Sequence, residues 1–203
     1  MLKATVLAVS LLIGISASAQ DSPIQFGVKA GLNLSNFGGK AGDDLDAKIG
    51  FNVGVTVDYA LTEDVYLLSG LELTTKGAKL SESGAKLTFN PMYLQLPIHA
   101  GYKLAIAEGT KLVFHAGPYL AYGIGGKAKL TGAGDEDYKI DFFGSEEEGG
   151  AKSFDFGVGL GVGAEFGQIN AGLGYDFGLA NISRSDDAKL KTQNAYLTVG
   201  YKF

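Results

Sequence analysis

Residues 154–179 read FDFGVGLGVGAEFGQINAGLGYDFGL, and this stretch decides the fold. From Phe154 to Phe166 every second residue is apolar, and most of the residues between are glycine. The same period of two returns from Ile169 to Leu179, after a Gly-Gln dipeptide. A period of two is typical of a β-strand, because successive side chains point to opposite faces. The stretch therefore predicts two antiparallel strands joined by a tight turn.

The same alternation recurs along the chain. It predicts six more strands, at residues 24–35, 49–61, 65–76, 93–104, 111–124 and 195–203. A tilted strand needs about 9–11 residues to cross a bilayer, and each of these runs is long enough. The links alternate between long polar ones (36–48, 77–90, 125–152, 180–194) and short ones (62–64, 105–109, 167–168). This pattern predicts an all-β, eight-stranded antiparallel up-and-down barrel with both chain ends at the short-turn end.

Glycine indicates which face of the barrel points outward. The chain has 31 glycines among 203 residues, and many lie on the polar face of residues 154–179. On a water-exposed surface they would weaken the strands without compensation. In a narrow lumen they leave space for lysines and for Tyr66, Tyr93 and Tyr119. We therefore expect a transmembrane barrel with its apolar face toward lipid; the alternative is a soluble secreted barrel with an apolar interior.

The start of the chain has the features of an export signal. Lys3 precedes an apolar run at residues 4–15, and Ala17-Ser18-Ala19 fits the small-x-small cleavage pattern. The run is too short to span a bilayer as a helix. We expect a cleavable signal peptide at residues 1–19 and an outer-membrane β-barrel domain at residues 20–203. The alternative is an N-terminal core helix or membrane anchor.

Composition excludes several classes of function. The absence of cysteine excludes disulfide frameworks, thiolate metal sites and cysteine nucleophiles. A formal net charge of −5 argues against a nucleic-acid partner, because nucleic-acid binders normally carry a basic balance.

Two histidines are the candidate chemical groups of the lumen. Alternation places His99 and His115 on inward faces of one hairpin, directly opposite each other. Such a pair can hold a metal ion, or one ring can act as the base of a lipid hydrolase or acyltransferase. No inward serine lies near the pair on these two strands. We favour packing and hydrogen bonding, and expect no catalytic, cofactor-binding or metal-binding residues and no cofactor.

Pro97 and Pro118 lie inside strands of the same hairpin. Proline cannot donate to the hydrogen-bond ladder, so we expect a β-bulge at their shared level.

Charges of both signs fall on the inward face. They are Lys29, Asp58, Glu72, Lys76, Lys103, Lys111, Asp155, Glu165, Asp176 and Lys202. Buried charges need partners, and eight strands leave too little space for an open channel. We therefore expect an ion-pair plug, with a proton or ion path as the alternative.

The link at residues 125–152 is acidic and also contains an aromatic pair. Its carboxylates lie at positions 135–137, 141 and 146–148, a spacing that matches no EF-hand loop. We expect a solvated surface loop rather than a calcium site. Phe142 and Phe143 either contact a partner or fold onto the barrel rim.

Five stretches resemble the outer-membrane β-barrel domain family abundant in Bacteroidota, which includes PorT-like proteins. They are FGVKAGLN at 26–33, LELTTKGAK at 71–79, YLQLPI at 93–98, AGPYL at 116–120 and GYKF at 200–203. The resemblance covers essentially the whole chain after residue 19 and implies an outer-membrane location without shared catalytic residues. The final aromatic residue, Phe203, resembles the signal read by the outer-membrane assembly machinery.

The expected protein is a non-enzymatic integral outer-membrane barrel with a plugged polar lumen and with both termini in the periplasm. It acts in envelope structure or through surface-loop interactions. Its expected partners are outer-membrane lipid, the assembly machinery during biogenesis, and a protein at the long loops. The alternatives are a lipid-modifying enzyme and a narrow pore or small-ligand carrier.

Overall fold

The computed structural model describes residues 23–39, 42, 45–82, 85–132, 138–144, 150–185 and 188–203. The expected signal peptide at residues 1–19 lies outside the described residues, as do the acidic positions 135–137 and 146–148. In the described ranges we find no helix with the length and hydrophobicity needed to cross a membrane.

The described residues form ten β-strands, which confirms the all-β prediction. They are β1 (Ile24–Gly38), β2 (Asp46–Ala60), β3 (Val65–Thr75), β4 (Ala78–Glu82), β5 (Ala85–Ala107), β6 (Thr110–Thr131), β7 (Tyr138–Asp141), β8 (Phe154–Phe166), β9 (Ile169–Gly178) and β10 (Lys191–Lys202).

Eight of the strands close into an antiparallel ring. Neighbours pair in the order β1, β2, β3, β5, β6, β8, β9, β10. The ring closes because β10 also pairs with β1, for example through Val28 and Tyr201. Closure removes the free edges that an open sheet would present. The predicted eight-stranded barrel is therefore confirmed.

Side chains alternate between an apolar outer face and a polar inner face. On β1, the Leu32 side chain is 61% exposed, whereas its neighbour Asn33 is 2% exposed. On β9, Leu173 is exposed and Asp176 is buried. The outer face carries nearly all of the exposed large apolar side chains, which is the arrangement of a lipid-facing barrel. The predicted inside-out assignment is correct.

The short turns lie together with the chain ends. Two-residue turns at Glu108-Gly109 and Gly167-Gln168 join β5 to β6 and β8 to β9, with Gly109 and Gly167 at positive φ. At the same end, the amide of Phe203 donates to the carbonyl of Phe26. The start of β1 and the end of β10 therefore lie at the short-turn end, as predicted.

At the long-loop end the structure differs from the sequence prediction. The links predicted at 77–90 and 125–152 contain β4, β7 and long extensions of β5 and β6. Beyond the end of β3, β4 takes its place between β2 and β5 and pairs with both. Beyond the start of β8, β7 pairs with β6 instead. We call β4, β7 and the adjoining parts of β5 (residues 85–92) and β6 (residues 125–131) the protruding sheet. β5 has 23 residues, about twice the length needed to cross a bilayer.

The prediction of a bulge at the two prolines is wrong. Pro97 pairs with Tyr119, and Ala100 pairs with Ala116 in the same register, so no extra residue lies between them. The register shifts instead at Met92/Tyr93 and at Ala105/Ala107. The position of the turn at Glu108-Gly109, together with the shift beside it, offsets the pairing by two residues from the prediction, so His115 lies opposite Gly101 rather than His99.

Candidate functional site in the barrel lumen

The two histidines meet in the lumen, although they are not directly opposite. His99 and His115 occupy a diagonal position on β5 and β6, and their Nδ1 atoms are 2.9 Å apart. The rings are nearly parallel, with centroids 5.1 Å apart and planes inclined by 18°. A hydrogen bond between two Nδ1 atoms requires one ring to donate its proton and the other to accept. The two rings therefore pack against each other and share a hydrogen bond, which is the arrangement that the sequence favoured.

A wall of glycines lies beside this pair. A Cβ atom at Gly161 would lie 2.5 Å from His115 Nε2, and one at Gly159 would lie 2.9 Å from His99 Nε2. Both distances are shorter than real Cβ contacts, so only glycine lets β8 approach the rings. The prediction of a bare wall is confirmed.

Tyrosines occupy the rest of that wall. The Tyr119 hydroxyl lies against Gly157, and Tyr196 lies against Gly174. Tyr119 was predicted to fill this space, whereas Tyr196 was missed. The space beside the histidines is filled by their own rings rather than by the lysines that the sequence suggested.

Four charged groups pair near the short-turn end of the lumen. Lys103 Nζ lies 2.6 Å from Asp58 Oδ2 and 3.0 Å from Glu165 Oε1. Lys202 donates to the same two carboxylates. All four side chains are largely buried, so two cations and two anions neutralise each other within the lumen. We call this group the charge cluster.

A second buried ion pair lies toward the long-loop end. Lys76 Nζ is 3.4 Å from Asp155 Oδ2, and neither side chain is exposed. The same oxygen accepts hydrogen bonds from Tyr119 and Thr192. The Lys76 ammonium also lies 4.2 Å from the centroid of the Tyr119 ring. These contacts fill the lumen at the level where β8 begins.

Beyond this level an aromatic cap closes the long-loop end. Phe37 and Phe142 stack at 5.8 Å between centroids, and Phe89 packs edge-on against both. Ile182 is fully buried in the same cluster. Phe143 packs on Tyr93 below it. Of the two roles predicted for Phe142 and Phe143, folding onto the rim is correct.

A cavity of about 130 Å³ lies in the lumen, and Asp58, Glu165 and Lys202 of the charge cluster form part of its lining. Its lining includes the histidine pair and the Lys29–Glu72 ion pair, whose charged atoms are 2.6 Å apart. Asp176 accepts a hydrogen bond from Gln95 at 3.0 Å. A polar cavity of this size has room for water molecules. The expected ion-pair network is present at Lys29, Asp58, Glu72, Lys76, Lys103, Asp155, Glu165 and Lys202.

In the part of the chain that the structure describes, the side chains around the cavity do not form a metal site. There, no group of three or more histidine, aspartate or glutamate side chains is placed to hold an ion. Ser69, a serine of the cavity lining, donates its hydroxyl to the Pro97 carbonyl at 2.7 Å, so that proton is not directed at a histidine.

Comparison with known proteins places the chain among barrels of this type. A family model described as "Outer membrane protein beta-barrel domain" matches residues 18–184. A search of curated protein sequences gave no match.

Several solved structures are similar in fold. Ail of Yersinia pestis, solved with the heparin analogue sucrose octasulfate, is 19% identical over 89% of this chain and 99% of its own, with a TM-score of 0.43. For Neisserial surface protein A the identity is 15%, over 88% of this chain and 97% of that one, with a TM-score of 0.49. OprG of Pseudomonas aeruginosa is 12% identical over 88% of this chain and 95% of its own, with a TM-score of 0.39.

Proposed function

Because the chain belongs to the outer membrane protein β-barrel domain family, we propose that it is a closed, non-enzymatic barrel that acts through its long-loop end. Its role is in envelope structure or in contacts with a protein partner at that end. The family fixes an integral outer-membrane location, and the closed lumen and the role of the long-loop end are the parts that we add.

Occlusion of the lumen at three levels is the observation that carries this proposal. The charge cluster, the Lys76–Asp155 pair and the aromatic cap each place buried side chains across the interior. A conducting path would have to break buried ion pairs, each of which leaves an uncompensated charge when it is broken. Apart from the cavity, the lumen is filled by side chains at these three levels, and the protruding sheet is the feature offered to other molecules.

Planar-bilayer recording tests the closed lumen. We expect the purified protein to insert without steady conductance. The double variant Lys76→Ala/Phe142→Ala removes side chains at two of the three levels and provides the matched comparison. Steady single-channel currents from the unmodified, heat-modifiable barrel would contradict the proposal and support a narrow pore.

We further propose that the long-loop end faces the cell exterior and that both termini face the periplasm. The support is the contrast between two-residue turns at one end and the protruding sheet at the other, which is the asymmetry typical of outer-membrane barrels. Protease treatment of intact cells tests this orientation. Cleavage near Arg184 without cleavage near Glu63 is the expected result.

Three finer assignments rest on sequence. Removal of residues 1–19 as a signal peptide is supported by the basic start, apolar run and Ala17-Ser18-Ala19 site, and N-terminal sequencing of the mature protein tests it. Membership of the PorT-like branch found in Bacteroidota is supported by the stretches at 26–33, 71–79 and 116–120. The final Phe203 supports recognition by the outer-membrane assembly machinery.

A further inference from the structure

The outer surface of the protruding sheet and the adjacent start of β2 carry an unusual density of lysine. The lysines are Lys48, Lys79, Lys86, Lys127, Lys129 and Lys139. We call this surface the lysine face. The acidic residues that share it, within the described ranges, are Asp46 and Asp141. Among the described residues, the lysine face therefore carries more positive than negative charge, although the chain as a whole carries a net charge of −5.

Strand pairing shows that these lysines share one face. Directly paired residues of an antiparallel sheet point the same way. Lys129 pairs with Lys139 on one side and with Thr88 on the other, and Thr88 pairs with Lys79. The alternate residues Ala78, Phe89 and Ala128 also pair with one another, and they are buried or packed against the aromatic cap. The lysine face is therefore the opposite, outward side.

The lysine face continues the apolar surface of the barrel without a gap. On β6, the exposed Ile124 is followed by two glycines and then Lys127. The ammonium groups thus begin where the lipid-facing band ends. That level is the headgroup region, where lysine side chains extend from an apolar surface to reach polar groups.

Four of these lysines are available for an external partner. Within the described part of the chain, Lys79, Lys86, Lys127 and Lys139 form no ion pair, although Asp46 and Asp141 lie opposite two of them. The Lys48 ammonium donates to Asn90 Oδ1 at 2.7 Å, which keeps it on this side of the sheet.

We propose that the lysine face binds the phosphate groups of lipid headgroups in the leaflet at the long-loop end. The chemistry matches because ammonium groups at a membrane surface attract anionic headgroups and phosphate oxygens accept their hydrogen bonds. Continuity with the lipid-facing band selects membrane lipid over a soluble partner. The inference deepens the proposed role of the long-loop end, but it does not require a closed lumen or a particular orientation.

Native mass spectrometry of the purified full-length barrel in neutral detergent tests the proposal. The probes are phosphatidic acid and phosphatidylcholine with identical acyl chains. The test variant is Lys79→Gln/Lys127→Gln/Lys139→Gln. The control variant, Lys152→Gln/Arg184→Gln/Lys189→Gln, removes as many cations from exposed positions of the same end but off the lysine face. The heat-modifiable gel shift verifies that each variant is folded.

The expected result is a preference for phosphatidic acid in the unmodified protein and in the control variant. The test variant should lose roughly tenfold or more of that preference, since each lysine near a charged surface contributes about fivefold in affinity. An undiminished preference in the folded test variant would overturn the proposal. So would complete displacement of the lipid by inorganic phosphate or by polyglutamate, which would assign the face to a free anion or to an acidic protein. Conductance in bilayers would overturn the closed lumen and leave this inference intact.

Discussion

The Nδ1 atoms of His99 and His115 lie 2.9 Å apart across the β5–β6 hairpin, with the two rings against the bare backbone of β8. Neither ring is held by a carboxylate at hydrogen-bond distance among the described residues. The pair therefore links two neighbouring strands inside the barrel and is a unit of packing.

A double-mutant cycle measures that link. His99→Ala and His115→Ala should each destabilise the barrel, and the double variant should cost less than the sum by about 1 kcal/mol, the net value of a buried hydrogen bond. The free energy of unfolding is measured in urea by far-UV circular dichroism. Strictly additive effects would contradict a direct interaction between the rings.

Replacement of the pair by glutamine tests the enzymatic alternative. His99→Gln/His115→Gln keeps polar side chains of similar size but removes any histidine base. We expect no change in the lipid profile of outer membranes that contain the variant, measured by mass spectrometry of extracted lipids. Loss of a lipid modification, with the barrel still folded and abundant, would assign these residues a catalytic role.

Two glycines of the lumen wall should respond differently to a single methyl group. Gly161→Ala places Cβ within 2.5 Å of His115 Nε2, so we expect destabilisation of about 1–3 kcal/mol. Gly172→Ala is the matched control, because its nearest neighbour, the Val162 carbonyl oxygen, lies 3.3 Å away. Its effect should stay within about 0.5 kcal/mol. Equal effects in urea unfolding would mean that the rings do not press on β8.

The charge cluster should be sensitive to loss of one carboxylate. Asp58→Asn leaves two buried ammonium groups with a single acidic partner, so we expect a loss of about 3–5 kcal/mol. Asp46→Asn removes an equal charge from the exposed lysine face and should change stability by less than about 0.5 kcal/mol. Added salt should leave the difference unchanged, since buried pairs are poorly screened.

The aromatic cap should open independently of the barrel wall. Phe142→Ala removes the ring that stacks on Phe37, and we expect faster hydrogen exchange in β7 and around Ile182. Exchange in β9 should be unaffected, because its hydrogen bonds belong to the closed ring. Tyr138→Ala, at an exposed position of β7, is the control. Uniform acceleration over all strands would show that the cap and the barrel unfold together.

The barrel itself could be predicted from sequence because its alternation is strict. Every membrane-crossing strand carries an apolar residue at nearly every second position, and glycine on the other face of β8 identified the lumen side. The inward charges followed from the same period. The partners of these charges could not be predicted, because the period fixes the face on which a residue lies but not its position along the axis of a tilted barrel.

The protruding sheet escaped prediction for a local reason. Residues 127–131 alternate between polar and apolar side chains, but the order is the reverse of a membrane-crossing strand. The lysines point outward and the small or apolar residues point inward. The cap was missed because Phe37, Phe89 and Ile182 are far apart in sequence and meet only when three links fold over the lumen. The two-residue error in the histidine register came from the position of the turn at Glu108-Gly109 together with the one-residue shift at Ala105/Ala107.

The irregularity opposite Met92 limits how chain length can vary. Met92 pairs with Gly125 while Tyr93 pairs with Gly123, so Ile124 and Gly125 both lie on the outer side. Deletion of one residue here would exchange the two faces of β6 beyond it, turning Lys127 toward the aromatic cap and Ala128 toward the headgroups. Homologous chains should therefore differ in length at the tip of the sheet, where whole hairpin segments can be added or lost, while this junction keeps its spacing.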